Sequence, residues 1–114
     1  MNRLEFLKQL EIEFPDGFAE IDTSEQLLHC EIADFREWVV KLMEEGSEWK
    51  CQQVFEFMVN CLNISDSSLE NAIEISFIED LALGEHKVMY RNIVKARAPK
   101  ALRNKMAKVH SFWS

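Results

Sequence analysis

The side chains that most often carry enzymatic chemistry are few in this sequence and poorly placed for it. His29, His86 and His110 lie far apart and form no H-x-x-x-H or H-E-x-x-H pair, the spacings that bring two imidazoles to one metal ion on a helix. The sequence also lacks a glycine-rich phosphate loop and a G-x-S-x-G motif, which mark nucleotide sites and serine hydrolases. We therefore expect no catalytic residue, no metal site, no cofactor and no enzymatic activity.

The cysteines give no sign of a metal or redox centre either. Cys30, Cys51 and Cys61 are odd in number and form no C-x-x-C pair, so neither a disulfide framework nor a structural zinc site is indicated. Cys30 follows His29 directly, but adjacent side chains on a helix point about 100° apart. We expect reduced and mostly buried thiols, as in a cytoplasmic protein.

Carboxylates are abundant, and their distribution along the chain is uneven. The net charge is −7 over 114 residues. Residues 1–86 contain all 20 acidic side chains and 5 basic ones, a net charge of −15, whereas residues 87–114 contain 8 basic side chains and no acidic one. This excludes a uniformly basic nucleic-acid binder. We expect the basic tail, residues 87–114, to pair with the acidic body, residues 1–86, because opposite charges attract within one molecule.

The elements that must position these side chains are predicted to be helices. Apolar residues recur at steps of three and four, strand alternation persists nowhere, and three glycines and two prolines leave few turns. The predicted helices are residues 3–13, 25–45, 48–62, 68–83, 85–96 and a last one with Pro99 in its first turn. We expect an all-α, single-domain bundle of six to seven helices over residues 1–114, around a central hydrophobic helix at about 68–83.

The central helix has unusual features at its start, on its faces and near its end. Ser67 and Glu70 fit a capping box that opens it. It is apolar on two nearly opposite faces, formed by Leu69, Ile73, Phe77 and Leu81 on one side and Ile75, Ile78 and Ala82 on the other.

Asp80 falls inside the first face, where a partly buried carboxylate needs a partner. We expect a structural ion pair between Asp80 and Arg91, Arg97 or Arg103; a catalytic acid with a perturbed pKa is the alternative.

Trp38 is the residue most suggestive of binding. It lies at the edge of the apolar stripe of helix 25–45, on the side of several carboxylates. An aromatic ring among carboxylates is typical of the centre of an interface with a basic partner, although core packing fits the position equally well. The predicted contacts are Glu31, Asp34, Trp38, Glu45 and Glu48. The alternative binding face is Asp66, Glu70 and Glu74.

The second half of the chain resembles a family of small helical bacterial proteins. The resemblance covers roughly residues 35–113 and rests on VFEFM at 54–58, Asp66, ENAI at 70–73, FIEDL at 77–81, Pro99 with Leu102, and Phe112 with Trp113. These are mainly packing residues, and Val59 and Asn60 stand where the family pattern has acidic residues. Proteins of this kind often occur as immunity proteins beside polymorphic or contact-dependent growth-inhibition toxins.

The resemblance and the charge together lead to a functional hypothesis. We expect a cytoplasmic immunity protein that binds a cognate toxin domain, a basic nuclease, and occludes its active site. The alternative is a helical adaptor or regulatory protein that contacts nucleic acid through its basic C-terminal helices, although we expect no nucleic acid to bind. We expect no contact with a membrane, since no apolar run approaches the ~18–20 residues of a span, and the charged residues Arg3 and Glu5 argue against a signal peptide. A homodimer stays open.

Overall fold

The computed structural model describes residues 1–84 and 87–107, and within these ranges every regular element is helical. The bounds are α1 (Arg3–Glu13), α2 (Pro15–Phe18), α3 (Leu28–Glu44), α4 (Glu48–Ile64), α5 (Ser67–Ile73), a π-helical stretch (Glu74–Glu79), α6 (Asp80–Leu83), α7 (Lys87–Arg97) and α8 (Lys100–Ala107). Because residues 67–83 form one uninterrupted helical run, the described ranges hold seven helices. The predicted all-α bundle is confirmed.

Side-chain hydrogen bonds cap the N-termini of α5 and α1. The cap of α5 lies one residue before the predicted one, and the cap of α1 was not predicted. The Leu69 amide donates to the Asp66 carboxylate at 2.9 Å, so Asp66 is the N-cap of α5 and the predicted capping box at Ser67 is wrong. A capping box does form at α1, where the Asn2 side chain accepts from the Glu5 amide at 2.9 Å and the Glu5 side chain accepts from the Asn2 amide at 3.2 Å. Such caps satisfy amides that have no partner within the helix.

Helix α3 begins at Leu28, three residues after its predicted start. Asp22 explains the delay, because its carboxylate accepts hydrogen bonds from both the amide and the hydroxyl of Ser24, at 2.9 and 2.6 Å. These bonds stabilise a local turn that competes with a helix. Gln26 then adopts a φ of 54°, a left-handed conformation that a right-handed helix cannot contain.

The run of residues 67–83 is the centre of the bundle and packs against α3, α4, α7 and α8. Its π-helical stretch has i→i+5 hydrogen bonding, which rotates each residue by less than an α-helix does. The helical wheel therefore loses its phase within the stretch. Of the predicted second apolar face, Ile78 and Ala82 are buried, but Ile75 is exposed. That part of the prediction is wrong.

Aromatic rings fill the space between the first three helices and the centre of the bundle. Phe35 stacks on Trp38 with ring centroids 5.6 Å apart, and Phe14 lies 6.1 Å from Trp38. Gly17 of α2 permits this packing, because a Cβ atom there would lie 2.6 Å from Cε3 of Trp38. Helix α2 thus covers the face of α3 that carries Trp38.

Candidate functional site

Glu31, the first predicted partner contact, is buried and belongs to the interior. Its carboxylate accepts hydrogen bonds from Nε and Nη2 of Arg3 at 2.7 and 2.5 Å, and its side chain has no exposed surface. The hydrogen bond to Glu31 raises the pKa of Arg3 above its ordinary value. The prediction that Glu31 faces a partner is wrong, because α1 supplies the cation that pairs with it.

Trp38, the predicted aromatic anchor, is also in the core. It is 8% exposed, and it packs against Phe14, Phe35 and the backbone of Gly17. Of the two interpretations that the sequence allowed, core packing holds, and the prediction of an interface role is wrong. The reason is α2, a four-residue helix that closes over the edge of the apolar stripe.

The remaining three predicted contacts lie at or near the surface. Asp34 accepts a hydrogen bond from the Asp22 amide at 3.0 Å and so fixes the loop before α3. Glu45 is the exposed C-cap of α3. Glu48 opens α4 and lies 3.5 Å from Nε of Arg97. Of the predicted face, only its C-terminal end, Glu45 and Glu48, remains together on the surface.

These two residues belong to the turn between α3 and α4, whose backbone conformation is defined by two hydrogen bonds and by Gly46. Gly46 has a φ of 77°; its amide donates to the Met43 carbonyl at 3.1 Å, and the Ser47 amide donates to the Leu42 carbonyl at 2.9 Å. This is a Schellman motif, in which glycine takes the left-handed position without steric cost. These hydrogen bonds define the backbone from which the side chains of the turn project.

An exposed tryptophan that the sequence analysis missed lies on this turn. Trp49 is 63% exposed; it directly follows Glu48 and comes four residues after the exposed Glu45. A signal was present in the sequence, because Trp49 precedes the buried Cys51 by two positions and so falls about 200° away on the wheel. We name Glu44, Glu45, Glu48 and Trp49 the acidic turn.

The alternative face is partly engaged in internal contacts. Asp66 caps α5, and Glu74 pairs with Lys105 of α8, Nζ to Oε1, at 2.8 Å. Glu70 is exposed and forms no ion pair within the described part of the chain. The pairs Lys105–Glu74 and Arg97–Glu48 confirm, at two residues, that the basic tail pairs with the acidic body.

Asp80 is half-exposed, and its partner comes from α3. Oδ2 of Asp80 lies 2.6 Å from Nη1 of Arg36, and its side chain is 53% exposed. The expected ion pair of Asp80 is present, but the predicted partners Arg91, Arg97 or Arg103 are wrong, because Arg36 takes their place. The π-helical stretch is the reason, because it turns Asp80 out of the apolar stripe toward α3.

Two side chains of α3 hold the π-helical stretch in place. Nη1 of Arg36 also donates to the Ser76 carbonyl oxygen at 2.7 Å, and Nδ1 of His29 lies 2.8 Å from the Ser76 hydroxyl. His29 and Arg36 are seven residues apart and therefore share one face of α3. Ser76 is buried, so its polar atoms need these partners.

A groove lies beside this contact, between α3 and α6. Its volume is about 310 Å³, and its lining residues are Arg36, Glu37, Val40, Asp80, Leu81, Leu83 and Gly84. Arg36 and the two carboxylates form the rim, the buried Val40 and Leu81 form the floor, and the exposed Leu83 forms one wall. Neither Ser76 nor His29 lines it.

The cysteines are free thiols, two of them buried, as predicted. Burial raises the pKa of Cys51 to about 11, with a smaller contribution from the charge of Glu48, and raises the pKa of Cys61 to about 12. A thiol is nucleophilic only as the thiolate, so neither group is reactive at neutral pH. Cys30 is exposed.

Metal ligands do not come together in the described ranges, where no group of three or more histidine, cysteine or acidic side chains could hold an ion. His86 and His110, for which the sequence predicts no metal-binding role, lie outside the described residues. None of the helices in these ranges has the length and apolarity to span a membrane.

The fold and the surface define a small all-α protein with an acidic turn and an amphipathic groove. The model of the family described as Domain of unknown function (DUF7674) matches residues 5–114, and the chain therefore belongs to that family. No curated protein and no solved structure gives a significant match.

Proposed function

We propose that this protein is a cytoplasmic immunity protein that binds a basic toxin domain, a nuclease, and neutralises it by covering its active site. The observation that carries the proposal is the acidic turn. It presents Trp49, 63% exposed, in one turn with three carboxylates, and a Schellman motif defines the backbone of that turn. Tryptophan is the residue type most enriched at the energetic centre of interfaces.

Charge supports a basic partner. Glu44 and Glu45 form no ion pair within the described residues, so their charges face outward. Nucleases that act on polyanions carry positive clefts, and carboxylates can occupy the positions of substrate phosphates. Complementary potentials steer such partners together at up to ~10⁸–10⁹ M⁻¹s⁻¹ at low salt. We therefore expect fast association that slows as salt is added.

The test begins with the tagged chain and its Trp49→Ala variant, each used to retain proteins from the cells in which the chain occurs. A protein that the wild type retains and the variant loses is then purified. We expect it to be basic, to arrest growth when expressed alone, and to lose its nuclease activity when the chain is added in equimolar amount. A retained protein without toxicity would contradict the proposal.

Two matched charge reversals decide which face is used. Glu45→Lys changes the acidic turn, and Glu70→Lys makes the same change on the alternative face. In stopped-flow measurements against the purified toxin, we expect Glu45→Lys to slow association about tenfold and reduce its salt dependence, with Glu70→Lys close to wild type. The opposite order would assign binding to the alternative face. Unchanged rates for both variants would refute acidic steering.

The alternative, an adaptor that contacts nucleic acid, has less support. Arg97 and Lys105 of the basic tail are each paired with a carboxylate of the body, and nearby acidic charge opposes the approach of phosphates. A gel-shift titration with duplex DNA and single-stranded RNA tests it directly. Micromolar binding that disappears with added salt would favour the adaptor.

A further inference from the structure

The groove between α3 and α6 has the chemistry of a site for one long, positively charged side chain. Val40 and Leu81 are buried and form its floor, and Leu83, 57% exposed, forms one apolar wall. The carboxylates of Glu37 and Asp80 lie at the rim. A binding site with an apolar floor and a charged rim suits an amphipathic side chain whose stem is apolar and whose head is charged.

The net charge of the rim is negative although the rim includes Arg36. Glu37 is 61% exposed and Asp80 is 53% exposed, so both carboxylates keep oxygen atoms open to solvent. Arg36 is mostly covered, and its donors are directed to the Ser76 carbonyl, Asp80 and Glu37. The rim therefore carries a net charge of −1, and these hydrogen bonds of Arg36 go to partners within this chain. An incoming cation meets free acceptors there, whereas an anion meets repulsion.

We propose that this groove binds an arginine side chain of the basic partner. The stem would lie on Val40, Leu81 and Leu83, and the guanidinium would donate to Glu37 and Asp80. Arginine suits the rim better than lysine does, because its planar group presents several donors in fixed directions to two carboxylates. This inference rests on the proposed function and names the contact through which the partner is held.

Position along α3 connects the groove to the acidic turn. Glu37, Val40 and Glu44 follow one another at steps of three and four, so they lie along one side of α3. Seven residues of α-helix measure roughly 10 Å. A partner that contacts Glu44 therefore lies about two helical turns from Glu37 of the groove.

The experiment uses N-acetyl-arginine amide as the probe and N-acetyl-citrulline amide, its neutral isostere, as the control. Each is titrated into the full ¹⁵N-labelled chain and followed by amide chemical shifts. For a ligand of this size we expect a dissociation constant on the order of 1–10 mM. The shifts should saturate, should include the amides of Val40 and Leu83, and should weaken with added salt. Equal shifts from the citrulline compound would overturn the proposal.

Two variants test the groove, and a third is their control. Glu37→Gln removes one acceptor, and Leu83→Lys places a cation in the groove, three residues from Asp80 on α6, where it can also compete for that carboxylate. Ile12→Lys makes the same charge change at an exposed position of α1. We expect both groove variants to weaken arginine binding at least fivefold and Ile12→Lys to bind as wild type does. Wild-type affinity in both groove variants would refute the site.

The outcomes separate this inference from the proposed function. If N-acetyl-arginine amide fails to bind while the toxin binds with sensitivity to Trp49→Ala, the groove is not used and the proposed function stands. If the amide binds as expected and no toxin is retained, the groove accepts arginine and the proposed function is wrong. If Leu83→Lys speeds release of the toxin by less than twofold, the partner does not use the groove.

Discussion

The ion pair between Arg3 and Glu31 makes the strongest prediction for stability. Glu31 has no exposed side-chain surface, and both its oxygens accept from one guanidinium at 2.7 and 2.5 Å. Removal of one partner of a buried pair costs about 3–5 kcal/mol, because the other is left without compensation. Arg3 is partly exposed, so we expect Arg3→Met to lower the free energy of unfolding by about 3 kcal/mol, the lower end of that range. For a domain of this size that lowers Tm by roughly 12 °C.

The assay is urea unfolding followed by far-UV circular dichroism, with Lys41→Met as the matched control. Lys41 lies 3.9 Å from Glu20, and both side chains are exposed, so its loss should cost less than about 0.5 kcal/mol. The double variant Arg3→Met with Glu31→Leu removes the stranded charge and should recover most of the lost stability. The reasoning is refuted if Arg3→Met is no more destabilising than Lys41→Met, or if the double variant is no more stable than Arg3→Met.

Three further predictions follow from burial. Gly17→Ala should lower the free energy of unfolding by about 1–3 kcal/mol through overpacking, because the new Cβ would lie 2.6 Å from Trp38; an unchanged urea midpoint would contradict this. At about pH 8 a thiol reagent should label only Cys30 rapidly in the native chain, and a fast phase that survives Cys30→Ser would argue against it. The neutral buried thiols of Cys51 and Cys61 have pKa values raised from 9.0 to about 11 and 12. Their contribution to stability is therefore complete below pH 9.0 and lost as pH rises toward these values, and a flat urea midpoint from pH 8 to 11 would show that it is absent.

Much of the fold could be predicted because helical periodicity is a local signal. Helix α1 has its predicted bounds, and α4 begins at its predicted residue. Errors occur where a side chain offers the backbone a competing hydrogen bond. Asp22 delays α3, and Asp66 moves the cap of α5. A wheel drawn at 100° per residue also fails across the π-helical stretch, since it assumes i→i+4 bonding throughout.

The candidate site could be predicted only in part, because exposure depends on distant elements. Glu31 and Trp38 lie on the same helix as Glu45, and nothing local distinguishes a carboxylate that meets Arg3 from one that meets solvent. Trp49 differs, since its distance from the apolar stripe of α4 was visible on the wheel. Its exposure was predictable from the sequence, although the sequence analysis missed it.

The sequence by itself determined the helices, the reduced thiols and the division into an acidic body and a basic tail, because periodicity and charge are properties of neighbouring residues. Tertiary structure decided which charged side chains form ion pairs within the molecule. Arg3 reaches Glu31 and Arg36 reaches Asp80 across 28 and 44 residues. Such pairs form only when the packing of two helices brings the donor and acceptor atoms of their side chains to about 3 Å from each other. No spacing along the chain encodes that distance. The acidic turn and the groove between α3 and α6 remain on the surface. We propose that the protein acts through them.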